Sequence, residues 1–91
     1  MGGSSAVARG RDAGRRLAWA DAYRLLSRVD PPESLTGEDL ELLAAAAYLV
    51  GEVADCRQAL QRAHQAHLRN GDVHRAARCL FWVAFTLLLQ G

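Results

Sequence analysis

Apolar and small residues recur at intervals of three and four along most of the chain, which is the spacing typical of amphipathic helices. The pattern predicts five helices, over residues 6–18, 19–29, 37–50, 53–69 and 73–89. No segment alternates apolar and polar residues for long enough to indicate a strand. The expected fold class is therefore all-α.

Start and stop signals separate these predicted helices. Pro31 and Pro32 end the second one, because a residue before proline disfavours helical dihedrals. Thr36, followed by acidic residues, is a typical N-cap for the third, and Gly51 is a typical terminator. An Asn-Gly pair ends the fourth helix, and Asp72 caps the fifth. The short connections predict antiparallel helical hairpins.

An internal repeat is visible when WADAYRLLSRV, from Trp19, is aligned with VADCRQALQRA, from Val53. The offset is 34 residues, and Leu26 then falls on Leu60. Hairpins repeating every 34 residues are typical of tetratricopeptide repeats. The sequence therefore predicts a tetratricopeptide-like α-solenoid fragment of about five helices. An unrelated alanine-rich bundle remains the alternative.

The small residues Ala44, Ala47 and Ala63 occupy positions where a leucine would bury more surface. Alanine at such positions allows a neighbouring helix to approach closely, so we expect these side chains to be buried at helix–helix contacts. The expected organisation is a disordered N-terminus over residues 1–5 and one helical domain over residues 6–91. That domain would hold two hairpins and the first helix of an incomplete third repeat.

Composition narrows the function without naming it. The chain has 91 residues, 51% of them hydrophobic, and a net charge of +1. A charge this small gives no strong general attraction to nucleic acid or anionic membranes. The N-terminal residues lack the apolar stretch of a secretory signal, and the longest apolar run is shorter than a membrane span. A cytoplasmic location is therefore expected.

The candidate metal-ligating and nucleophilic residues do not form a recognisable site in the sequence. His64 and His67 lie three apart on one predicted helix, a spacing at which two imidazoles can share a metal. Cys56 is about two turns from His64, so the expected role of both histidines is to face solvent or line a groove. Cys56 and Cys79 are expected to be buried free thiols. No catalytic residues, cofactor or metal are predicted.

Protein–protein interaction, as the helical region of a cytoplasmic regulator, is the function predicted from this pattern. In a helical solenoid, the first helices of successive units form a concave surface that receives a peptide or helix. The residues expected on that surface are Arg15, Tyr48 and Arg57. The alternative is a small DNA-associated protein that uses its arginine-rich N-terminus, and an enzyme or metal protein is a third reading.

The fifth predicted helix is apolar on nearly all sides, and the preceding hairpin can cover only one stripe of it. The residues expected to remain uncovered are Leu80, Phe81, Val83, Ala84, Leu87 and Leu88. An uncovered face of this kind predicts either a homodimer that forms through the C-terminal helix, or a longer protein in which a further helix packs against this face.

Four segments resemble a known family: AWADAY (18–23), EDLELLAAAAYLVG (38–51), QALQRAHQAHLRNGD (58–72) and AARCLFWVAFTLLLQG (76–91). In this order they are similar to the tetratricopeptide-like region of large actinobacterial transcription regulators of the LuxR type. The resemblance implies a sensory or protein-binding region, with DNA binding performed by a separate helix-turn-helix domain. This chain contains neither a phosphate-binding loop nor a recognition helix, so the resemblance implies no ATP hydrolysis and no direct DNA binding here.

Overall fold

Five α-helices make up the fold of the computed structural model, which describes residues 2–29 and 34–90. They are α1 (Gly2–Arg15), α2 (Trp19–Ser27), α3 (Gly37–Leu49), α4 (Val53–Arg69) and α5 (Val73–Gln90). The described residues contain no strand, which confirms the all-α class. The predicted stop at Pro31 and Pro32 lies outside the described residues.

The predicted start and stop signals are present at both ends of α3 and at the start of α5. The Thr36 hydroxyl accepts a hydrogen bond from the Asp39 amide at 3.1 Å, and the Asp39 carboxylate accepts one from the Thr36 amide at 3.1 Å. This reciprocal capping box satisfies two amides that a helix start leaves free. Gly51 has a φ of +90°, the left-handed conformation that ends a helix at low cost. Asp72 accepts from the Arg75 amide at 3.0 Å.

Helix α1 begins earlier and packs more closely than the sequence predicted. Residues 2–5, expected to be disordered, form its first turn. Gly10 and Gly14 are packing positions on this helix: a Cβ on Gly10 would lie 2.6 Å from Leu26, and one on Gly14 would lie 2.6 Å from Leu42. Glycine therefore brings the backbone of α1 against α2 and α3, and this packing supports the helix.

The core is built from leucine and alanine where successive helices meet. Each helix packs mainly against its neighbours in the chain, and α1 also contacts α3. Ala47 and Ala63 are 0% exposed, and Ala44 is also buried. The prediction that alanine admits a neighbouring helix is thereby confirmed. Among the described residues, no helix is both long enough and apolar enough to cross a membrane.

Candidate functional site

An open apolar groove of about 380 Å³ lies between α3 and α5, with α4 as its floor. The lining consists of Ala44, Ala45, Tyr48 and Leu49 of α3, Cys56 and Leu60 of α4, and Trp82, Phe85 and Thr86 of α5, together with Glu41. Glu41 is the single charged residue in this lining. A concave surface that is almost entirely apolar is suited to an apolar ligand or the apolar face of a helix.

Three aromatic rings of α5 form a cluster at one wall of this groove. The Phe81 and Trp82 ring centroids are 5.4 Å apart at 77°, and those of Trp82 and Phe85 are 5.5 Å apart at 85°. These edge-to-face arrangements are favourable for aromatic pairs. The rings nevertheless remain 41–60% exposed, so their mutual contacts do not remove them from solvent.

The apolar surface of α5 continues beyond the groove, as the sequence predicted for most of its residues. Leu80, Leu87 and Leu88 are exposed, Leu88 by 78%. Ala84 is also exposed. Val83 differs, because it is half-buried and packs against the core. Sequence reasoning did not include Leu89, which is exposed as well.

The three residues predicted to bind a partner are not brought together. Tyr48 lines the α3–α4–α5 groove and is 43% exposed. Arg57 lines a different depression, formed with residues of α4 and α5. Arg15 lies at the end of α1, where its Nη2 atom is 3.8 Å from Asp12 Oδ1. Of the three, Tyr48 is the one that the structure places in the groove.

An ion pair joins α1 to α3. The Arg11 guanidinium donates two hydrogen bonds to the Asp39 carboxylate, at 2.6 and 2.7 Å. Burial favours the neutral form of Asp39, but the hydrogen bonds from Arg11 and Thr36 outweigh it and lower the pKa of this carboxyl. The carboxylate therefore stays ionised in the folded protein and serves both the cap of α3 and its attachment to α1.

A second polar group joins α3, α4 and α5 at the same end of the molecule. Ligand-type atoms of Glu41, His67 and Cys79 all lie within 4.8 Å of one another. The His67 Nε2 atom is 2.9 Å from Glu41 Oε2, and Arg78 donates to Glu41 Oε1 at 2.7 Å. We call Glu41, His67 and Cys79 the three-helix cluster.

Both histidines of α4 were expected to face solvent or line a groove, but their surroundings differ. His67 is 4% exposed and bonded to Glu41, while the half-buried His64 is bonded through Nδ1 to the Ala76 carbonyl at 2.8 Å. Sequence reasoning tested His67 against Cys56 and His64 and missed Glu41 and Cys79. Hairpin geometry could have identified them, since antiparallel helices bring the end of α4 close to the starts of α3 and α5.

Both thiols are buried and free, as predicted. Burial raises the pKa of Cys79; nearby Glu41 raises it further, and Arg78 acts in the opposite direction. Burial also raises the pKa of Cys56, against a smaller effect of Arg57. Both side chains are therefore thiols rather than thiolates at neutral pH.

Comparison with known proteins does not assign this chain to a family. No protein-family model matches the sequence, no curated protein is significantly similar to it, and no solved structure is significantly similar to its fold. Its function therefore has to be inferred from the α3–α4–α5 groove and from the polar groups beside it.

Proposed function

We propose that this chain is a non-catalytic protein–protein interaction module that holds an apolar helix in the α3–α4–α5 groove. The observation that carries the proposal is the exposed apolar surface on and beside this groove. Within residues 80–89 of α5, seven large apolar residues are 41–78% exposed: Leu80, Phe81, Trp82, Phe85, Leu87, Leu88 and Leu89. A soluble monomer rarely exposes a contiguous apolar patch of more than a few hundred Å².

The size of this surface matches that of a small protein interface. Aromatic side chains bury about 150–250 Å² each, so three rings that are about half exposed offer on the order of 300 Å². The exposed leucines lie partly on other sides of α5, and Leu87 lines the depression that contains Arg57. The area offered to one partner is therefore below the roughly 800 Å² per partner of a standard interface.

The occupant that fits this surface best is α5 of a second copy. Residues 79–90 carry no charge, so two such helices can approach without burying one. The aromatic cluster lies near the middle of α5. A two-fold axis at that point would pack the cluster of one copy against the cluster of the other, and this self-complementarity is what a two-fold interface requires.

The finer assignment, a tetratricopeptide-like region of a cytoplasmic regulator, is part of the same proposal. It is supported by the 34-residue offset between α2 and α4, and by helices that pack chiefly on their chain neighbours, as in a solenoid. The resemblance to regulators of the LuxR type favours a role in assembling such proteins, with DNA binding carried out by another domain.

The alternative of DNA binding through the N-terminal arginines is less favoured by the geometry. Arg11 is held by Asp39, and Arg16 is paired with Asp12 at 2.9 Å. Arg15 is close to the same Asp12 carboxylate. The N-terminal cluster consists of Arg9, Arg11, Arg15 and Arg16, and the last three of these have an acidic neighbour, which reduces the charge available to phosphates. A salt-sensitive gel shift with duplex DNA would reverse this ranking.

The experiment that tests the proposal measures the mass of the full chain in solution. Sedimentation or light scattering at micromolar concentration should give a dimer. Phe85→Glu and Phe81→Glu should each give a monomer, because Phe85 lines the groove and Phe81 stacks on it in the aromatic cluster. Leu68→Glu is the matched control, because Leu68 is an exposed apolar residue on α4 that does not line the groove. A wild-type protein that stays monomeric at high micromolar concentration and binds no apolar dye would refute the proposal.

A further inference from the structure

We propose that the three-helix cluster, Glu41, His67 and Cys79, is a zinc-binding site. The sequence predicted no metal because His64 and His67 need further converging ligands, and Cys56 is about two turns away from His64. The structure brings a different set of donors together, one from each of α3, α4 and α5, with their ligand-type atoms within 4.8 Å of one another. Glu41 also lines the α3–α4–α5 groove, whereas His67 and Cys79 are not among its lining residues.

The donor set selects the metal. A thiolate sulphur, an imidazole nitrogen and a carboxylate oxygen are the three side-chain ligands that Zn²⁺ uses in proteins. Mg²⁺ and Ca²⁺ take oxygen ligands, so a sulphur and a nitrogen in the set disfavour both. Three protein ligands leave one of the four tetrahedral positions for water.

The spacing requires little movement. Zinc bonds of about 2.0–2.3 Å in a tetrahedron place ligand atoms roughly 3.3–3.7 Å apart. The His67 Nε2 and Glu41 Oε2 atoms are 2.9 Å apart, and the widest separation in the cluster is no more than 4.8 Å. Side-chain shifts of about 1 Å are therefore enough to admit the ion.

Neighbouring groups orient two of the ligands. Arg78 binds Oε1 of Glu41, which leaves Oε2 directed at His67. The imidazole lies against the backbone of Gly37, where an added Cβ would be 2.5 Å from the ring Cε1 atom. Groups that fix the orientation of metal ligands in this way are a regular feature of zinc sites.

A polar cavity of about 620 Å³ gives the ion a route to His67, which is one of its lining residues. The same lining includes the carboxyl groups of Glu38, Asp39 and Asp72. Arg11 and Arg75, which also line it, partly balance these charges. When the Zn–S bond forms, the Cys79 S–H proton leaves to solvent, so that a thiolate and the Glu41 carboxylate both face the ion.

Cobalt is the probe for the test, since Co²⁺ occupies tetrahedral zinc sites and is coloured. The full chain, purified in the presence of a chelator and then freed of it, should bind one Co²⁺ per chain. Binding should produce visible bands and a near-ultraviolet thiolate-to-metal charge-transfer band. One equivalent of Zn²⁺ should abolish both.

Matched variants identify the ligands. Cys79→Ala should lose the charge-transfer band, whereas Cys56→Ala, at the other buried thiol, should keep it. His67→Gln should weaken Co²⁺ binding by at least about tenfold, whereas His64→Gln should leave it unchanged. If circular dichroism shows that Cys79→Ala is unfolded, Glu41→Gln tests the third ligand instead, because Glu41 is only half-buried. The proposal is overturned if the wild-type protein takes up no Co²⁺, or if a folded Cys79→Ala keeps the thiolate band.

Discussion

Replacing Ala47 by leucine tests why this chain uses alanine at its helix contacts. Ala47 is 0% exposed and lies in the main core cluster on α3. A leucine at this position adds three heavy atoms where no solvent-accessible space exists. The added atoms must be accommodated by unfavourable rotamers or by separation of the helices, which typically costs about 1–3 kcal/mol.

Urea unfolding followed by far-ultraviolet circular dichroism measures this cost. Thermal unfolding is a second measure of the same cost. For a domain of this size, a destabilisation of 1 kcal/mol lowers the Tm by about 4–8 °C, so the Tm of the variant should fall by roughly 4–24 °C. The urea midpoint should fall while the slope with urea stays unchanged, since the unfolded state is the same.

Ala20→Leu is the matched control, because Ala20 is also helical but is exposed on α2 and does not line the α3–α4–α5 groove. Alanine and leucine have similar helix propensities, so this variant should stay within about 0.5 kcal/mol of the wild type. If Ala47→Leu unfolds at the same urea concentration as the wild type and Ala20→Leu, close packing is not the reason for alanine at this contact.

Two further substitutions examine the polar end of the molecule. Gly37→Ala should displace the His67 ring and lower the unfolding free energy by about 1–3 kcal/mol, since the new methyl overlaps the ring; a urea midpoint equal to that of the wild type would contradict this. Asp39 has a lowered pKa in the folded state, so its stabilising effect is present above its unfolded value of 3.8 and is lost as the pH falls through the folded value. Asp39→Asn should lower the unfolding free energy by about 1–2 kcal/mol at neutral pH, because it weakens the cap of α3 and the partly exposed ion pair with Arg11. The variant should also lose less stability than the wild type when the pH is lowered. An acid unfolding curve identical to that of the wild type would argue against the role of this pair.

Local signals in the sequence were enough to place α3, α4 and α5, but not the bounds of α1. Thr36, Gly51 and Asp72 each act on backbone groups within a few residues, so their effect does not depend on the rest of the fold. The burial of Ala47 and Ala63 was also predictable, because the spacing of small residues reports which side of a helix meets another helix.

Contacts between distant helices were not predictable in the same way. Gly10 and Gly14 disfavour a helix on propensity alone, and their packing role depends on which side chains lie opposite. The three-helix cluster shows the same limit. Glu41 and Cys79 lie 26 and 12 residues from His67 in the sequence, so no short motif joins them, and only the crossing of three helices brings them together.

The division between a polar end and an apolar groove follows from where the charges lie on α3 and α5. The early residues of these helices are linked by ion pairs, Glu38 with Arg75 and Glu41 with Arg78. Beyond Arg78, α5 carries no charged side chain, and apolar and aromatic residues line the space between the two helices. These exposed pairs join α3 and α5 at one end, while the packing of both helices on α4 sets the separation of the groove walls. An apolar helix that enters the groove therefore meets walls already in position, so its binding does not have to supply the conformational entropy of ordering them.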